Sequence, residues 1–169
     1  MIIHSFDYEL FIGPKSGTFE SCIKEPASRI IKLFDEYKIS GEFFVDFGFL
    51  IYLNRNNKSL FSKIINHILW LIDHKQNIQF HLHPNWLYGT KLIEQSEEFF
   101  VSSKNYYLNH IPRNEFINII DNCFHIYETY LSKFCDNNNH MIAHRAGGWQ
   151  SIEEWRLKYI FTTLDLKID

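Results

Sequence analysis

Strand-like and helix-like segments alternate along the whole chain, and that order constrains its fold more than any single motif. Short runs rich in β-branched and aromatic residues, at 2–6, 42–46, 78–83 and 140–146, read as strands, the first of them buried. Between them, apolar residues recur at helical spacing. Glu25-Pro26 opens the first helix, with proline tolerated in a first turn, and Ile30, Ile31, Leu33, Phe34 and Tyr37 form its inner face. A second helix over 58–73 turns Leu60, Ile64, Ile65, Ile68, Leu69 and Ile72 inward. A third, over 115–134, does the same with Phe116, Ile119, Ile120, Cys123, Tyr127, Tyr130 and Leu131. A last helix starts near Ser151, where Ser151 and Glu154 have the spacing of a capping box. Residues 13–17 (GPKSG) read as a loop and 136–139 (DNNN) as a turn, while LKID at 166–169 begins another extended segment.

No repeat and no linker interrupts the pattern, and 169 residues suffice for one domain with a core. Strands separated by helices predict a parallel sheet with right-handed crossovers, hence an α/β layer or barrel. In such folds the functional site lies at the carboxyl ends of the strands. The polar residues of interest fall there: Asp7 and Glu9, Asp46, His81 and His83, and Arg145 with its glycines. The long irregular segment 84–112 follows the third strand and holds several aromatic residues; loops of that length are functional or mobile.

The hydrophobic and aromatic contents, 46% and 17%, argue against disorder. A net charge of −3 with singly scattered basic residues gives no grip on nucleic acid or an anionic membrane. Cys22, Cys123 and Cys135 form no CxxC pair, which fits reduced thiols in a cytoplasmic protein better than a thiolate zinc site or a disulfide framework. Neither a signal peptide nor a membrane span is expected.

Residues two apart on a strand point to one face, about 6.6–6.8 Å apart along the backbone. His81 and His83 therefore aim both imidazoles the same way, and Pro84 ends the strand directly after them. Asp7 and Glu9 share that spacing on the first strand. Two imidazoles and one carboxylate suit Zn²⁺ or a similar divalent ion with a position open for water, and the second carboxylate is left to take a proton from that water. An HxH alone, in a chain with nine histidines, is more often structural; the combination with the acidic pair favours a metal centre. His4, His67, His74, His110, His125 and His140 read as structural. Arg145 is placed to orient a carboxylate by a bidentate contact. Gly147 and Gly148 let backbone or ligand come close, and Trp149 offers an apolar wall for a sugar ring, while Trp86 is either a second wall or ordinary loop packing. Asp46 either sits in the site or caps the turn that follows.

Together SFDYELFIG, SGEFFVDFGFL, IQFHLHPNW, AHRAGGW and LKID, which run along essentially the whole chain, resemble the NodB-homology polysaccharide deacetylases, the family-four carbohydrate esterases. The likeness is strongest to the divergent WbmS-like branch associated with surface-polysaccharide gene clusters. It implies a distorted (β/α) barrel of about seven strands and metal-dependent removal of N-acetyl groups from sugars. By position, Asp7 matches the catalytic base, His81 the first metal histidine, and Arg145 the arginine that orients the base. The family's second aspartate is replaced by Tyr8, which moves the carboxylate ligand to Glu9. Its second histidine would fall on Asn85, so strand geometry assigns that role to His83. The family pattern continues beyond LKID with further strands and a histidine that protonates the leaving amine. The expectation is therefore a single partial domain over 1–169, truncated after about the fourth or fifth strand. Its exposed sheet edge would invite self-association.

Three functions are compatible with these residues. The first is a cytoplasmic Zn²⁺-dependent hydrolase that deacylates a sugar of a surface polysaccharide or its precursor. The second is an inactive carbohydrate-binding or assembly protein derived from such an enzyme. The third is another HxH metal hydrolase, such as a phosphoesterase or amidohydrolase; these place HxH on the first strand, where this chain has DxE.

Overall fold

A computed structural model describes residues 2–94, 96–135, 141–148 and 151–169. Strand β1 (His4–Tyr8) leads through a π-helical turn, Glu20–Lys24, into α1 (Glu25–Tyr37). Strand β2 (Gly41–Asp46) runs into α2 (Phe47–Asn56), and α3 (Lys58–Asp73) precedes β3 (Asn77–Leu82). The segment after β3 holds a small ribbon, β4 (Lys91–Leu92) with β5 (Phe99–Phe100). Helix α4 (Arg113–Tyr130), β6 (His144–Ala146) and α5 (Glu154–Leu164) complete the described elements.

The main sheet is parallel and follows chain order, β1-β2-β3-β6. Doubly wound sheets reverse that order at a switch point, and this one does not. It is a curled, half-barrel sheet in a mixed α/β chain. Ile168 extends it past β6: it bridges Ala143 in parallel, and its carbonyl accepts from the His144 amide at 2.8 Å.

Register sorts the side chains onto two faces. Pairing sets Asp7 beside Phe44, Phe44 beside Gln79, Asp46 beside His81, and His81 beside Arg145. Paired residues of parallel strands point the same way, so these share one face. The other carries Phe43, Val45, Ile78, Phe80 and Leu82, all buried in the core. Gln79 explains why β6 is shorter than the strand expected over 140–146. Its Oε1 accepts from the amides of Ile142 and Ala143 at 2.9 and 2.8 Å, satisfying two donors without a longer ladder. His140 and the expected turn at 136–139 lie outside the described residues.

The helices differ from expectation where the sheet dictates the buried stripe. Ala27, Ile31 and Phe34 face the core from α1, whereas Leu33 and Tyr37 are exposed, the former about 200° round the helix from Ile31. Helix α2 was not expected, because Phe47, Gly48, Phe49, Leu50, Ile51 and Leu53 are all buried and leave no amphipathic period to read. Helix α3 agrees with its sequence pattern and is capped by Asn57, whose side chain accepts from the Leu60 amide at 3.1 Å. Helix α4 stops at Tyr130, and a 3₁₀ turn over Ser132–Phe134 follows it. The capping box at Ser151 does not form. Instead Asn109, from another segment, donates to the Ser151 carbonyl and accepts from the Glu153 amide, both at 3.1 Å.

The first strand also departs from the buried one expected at 2–6. It begins at His4 on the sheet edge, and Ile2 and Ile3 are exposed. Among the described residues, no helix is long and apolar enough to cross a membrane.

Candidate metal centre

Glu9 follows directly on β1, and His83 directly on β3. The curl of the sheet brings them together with His81. One carboxylate oxygen of Glu9, Oε2, lies 3.0 Å from His81 Nε2 and 3.0 Å from His83 Nδ1. The two imidazoles are nearly perpendicular, with ring centres 4.6 Å apart. Both histidines are buried, while Glu9 is partly open to solvent. The three prospective ligand atoms lie within 4.8 Å of one another.

Hydrogen bonding fixes what these nitrogens can do. His81 Nδ1 lies 2.7 Å from the backbone carbonyl of Arg145, which can only accept, so Nδ1 carries a proton. Neutral His81 then turns the lone pair of Nε2 toward the Glu9 carboxylate. Two electron pairs oppose each other there unless a proton or a metal cation lies between them. His83 Nδ1 is buried and sits within ion-pair reach of Glu9 and Asp46, but out of line for a hydrogen bond. Once His83 gives up its Nδ1 proton, two nitrogen lone pairs and a carboxylate aimed at one point match the donor set that Zn²⁺ takes, so the residues fit a divalent ion.

The charges are tightly coupled. Burial works to raise the Glu9 carboxyl, but the His81 and His83 rings against it, in their protonated forms, outweigh it and lower it to about 2. Burial works to lower the His83 imidazolium, but contacts with Asp46 and Glu9 outweigh it and push it up to about 10.

Asp46 does both things the sequence left open. Its Oδ1 accepts from the Gly48 amide at 2.9 Å, capping α2, and from the His83 amide at 3.0 Å. Its Oδ2 accepts from the Trp86 indole at 2.8 Å and lies 3.4 Å from His83 Nδ1. Trp86 is therefore not a wall of the site. The 3₁₀ turn Pro84–Leu87 folds it inward, where it is fully buried against Phe49, with ring centres 4.4 Å apart.

Arg145 and Asp7 form an ion pair at the rim. The contact is not the bidentate one expected. The guanidinium fork divides, one nitrogen going to Asp7 and the other to Ser5 Oγ at 2.9 Å, while its plane covers Phe44 at 3.9 Å.

The two glycines play different parts. A Cβ at Gly147 would lie 2.3 Å from the Leu82 carbonyl and 2.9 Å from the His83 ring. Glycine there serves close packing of the backbone against His83, not of a ligand. Gly148 has φ +78 and lines the cleft. Trp149 lies outside the described residues. His67, expected to be structural, is buried with its Nδ1 2.9 Å from the Tyr8 hydroxyl.

A cleft of about 770 Å³ opens over the cluster. Asp7, Glu9, His81, His83 and Arg145 form its polar wall, and Phe11, Ile12, Tyr106, Ala146 and Gly148 the remainder. The chain matches no protein-family model, no curated protein and no solved structure.

Sequence reasoning missed Phe11, Tyr106, Ser5 and Gly48. Tyr106 belongs to the long segment that its length had marked as functional or mobile, so a partial signal for it existed. Phe11, Ser5 and Gly48 carry none; only the fold places them beside the cluster.

Proposed function

We propose that this chain is a metal-dependent hydrolase that removes an N-acetyl or related acyl group from a sugar of a surface polysaccharide or its precursor. The observation that carries the reading is the convergence of Glu9, His81 and His83 beside the Asp7–Arg145 pair in one cleft. The motif resemblance supports the sugar amide as substrate, and the order of the sheet agrees with a NodB-type barrel as the parent fold. Phe11 and Tyr106, aromatic residues in the cleft wall, suit the apolar face of a sugar ring. Cys22, Cys123 and Cys135 are in no disulfide among the described residues, which agrees with a reducing, cytoplasmic setting.

Glu9, His81 and His83 would hold the ion, most naturally Zn²⁺. Such an ion supplies polarisation of an acyl oxygen and acidification of a bound water. Asp7 accepts the proton of the attacking water on its carboxylate. Arg145 holds that carboxylate in place, and its backbone carbonyl keeps the His81 proton on Nδ1.

The test joins elemental analysis to acetate release from N-acetylglucosamine oligomers and a nucleotide-linked N-acetyl sugar. Stoichiometric zinc with acetate release is expected. Asp7→Asn should keep the zinc and lose turnover; His81→Ala should lose both. A zinc-free wild type overturns the proposal. Sugar binding without acetate release would favour a carbohydrate-binding protein, and phosphate release without acetate a phosphoesterase.

A further inference from the structure

Tyr106 comes from the segment between β5 and α4 and lines the same cleft as Glu9, His81 and His83. Its ring is held from three sides. The His83 ring lies 5.7 Å away at 30°, and the Tyr107 ring 5.3 Å away at 71°. The third side is the backbone of Gly148, where a Cβ would come within 2.8 Å of Tyr106 Cε1. That packing uses the ring and leaves the hydroxyl out. No hydrogen bond to the hydroxyl is made among the described residues. A fixed ring whose hydroxyl has no hydrogen-bond partner among the described residues is suited to meet a polar ligand group.

We propose that Tyr106 is a substrate-contacting residue whose hydroxyl donates a hydrogen bond to the acyl oxygen presented at the Glu9–His81–His83 centre. This rests on the metal-hydrolase reading given above. A phenol, with a pKa of about 10 in water, keeps its proton at neutral pH and can donate without a charge of its own. Donors aimed at an oxygen that gains negative charge are among the larger single contributors to acyl-transfer catalysis. The ring would meanwhile close one side of the cleft against the sugar. No covalent step involves Tyr106, and its proton stays on the phenol oxygen.

The test uses the zinc-loaded full chain and acetohydroxamate, a zinc ligand that carries an acetyl carbonyl oxygen. Zinc content, thermal midpoint and acetohydroxamate affinity by calorimetry are compared for wild type and Tyr106→Phe, which keeps the ring. Unchanged zinc and midpoint are expected, with acetohydroxamate bound about tenfold more weakly by the variant. Equal affinities with zinc intact overturn the Tyr106 assignment alone. Loss of zinc or of folding in Tyr106→Phe overturns it too, since the hydroxyl would then be structural. A wild type that takes up zinc but does not bind acetohydroxamate also removes it. A wild type that takes up no zinc fails the hydrolase reading itself, which separates the two.

Discussion

Arg145 touches the two halves of the site through different atoms: its backbone carbonyl accepts from His81 Nδ1 at 2.7 Å, and its guanidinium pairs with Asp7. The first contact sets the tautomer of a prospective metal ligand and survives any side-chain substitution. The second positions a prospective base and does not. Arg145→Ala is therefore predicted to keep zinc at wild-type stoichiometry while acetate release falls about 100-fold or more. Elemental analysis and turnover measured on the same preparation check this. Loss of zinc in the variant would show that the two functions are not separable in this way.

Zinc affinity should depend on pH through His83. Without metal its imidazolium is pushed up to about 10, so at neutral pH a metal must displace a proton from it. One proton released per ion makes affinity rise about tenfold per pH unit between about pH 6 and 8. Chelator competition at three pH values measures the slope, and a flat response would refute the linkage. The metal-free fold has its own dependence. The raised His83 pKa contributes stability that is complete below about 6.5 and disappears as pH rises through about 10. The lowered Glu9 pKa contributes stability that is complete above about 4.5 and disappears as pH falls through about 2.

His83 is wedged between two glycines. A Cβ at Gly48 would lie 2.2 Å from the His83 carbonyl oxygen, and one at Gly147 would meet both the Leu82 carbonyl and the His83 ring. In each case backbone must shift, since the first collision is with a carbonyl oxygen. Gly48→Ala and Gly147→Ala are each predicted to destabilise the fold by about 1–3 kcal/mol and to weaken zinc binding. Denaturant titration and zinc competition measure the two effects. A Gly147→Ala protein with native stability and native zinc affinity would contradict the packing described here.

The parts of this molecule legible in the sequence were those with a period or a fixed spacing. HxH and DxE each place two side chains on one strand face, and the alternation of elements implied that the strand ends gather at one rim; Glu9, His81 and His83 do converge there. Helix α3 was legible because one stripe is apolar and the rest is not. Helix α2 was illegible because burial on all sides erases that contrast. Trp86 was left open between a cleft wall and loop packing because an aromatic residue after a strand end looks the same whether it turns outward or, as here, inward onto Asp46. The failed capping box has a similar cause: Asn109, more than 40 residues earlier, supplies the hydrogen bonds that local sequence seemed to offer. Long-range replacement of a local partner leaves no mark in a single sequence.

Strand β1 is predicted to mediate association between copies of the chain. Among the described residues it pairs on one side only, with β2, so its other side presents unpaired backbone donors and acceptors. His4 packs on Phe34 with ring centres 5.5 Å apart, which brings this edge alongside α1. Among the exposed apolar residues, Ile2 and Ile3 directly precede β1, and Leu33 and Tyr37 lie on α1. A second copy offers both things such an edge lacks, a strand with matching hydrogen-bond spacing and an equivalent apolar strip. Light scattering over a range of concentrations should show a species heavier than one chain. Ile3→Lys combined with Leu33→Glu should return it to a monomer without loss of zinc, because neither residue lines the cleft. A wild type that stays monomeric at every concentration would place the edge among those that a strand's shortness alone suffices to protect.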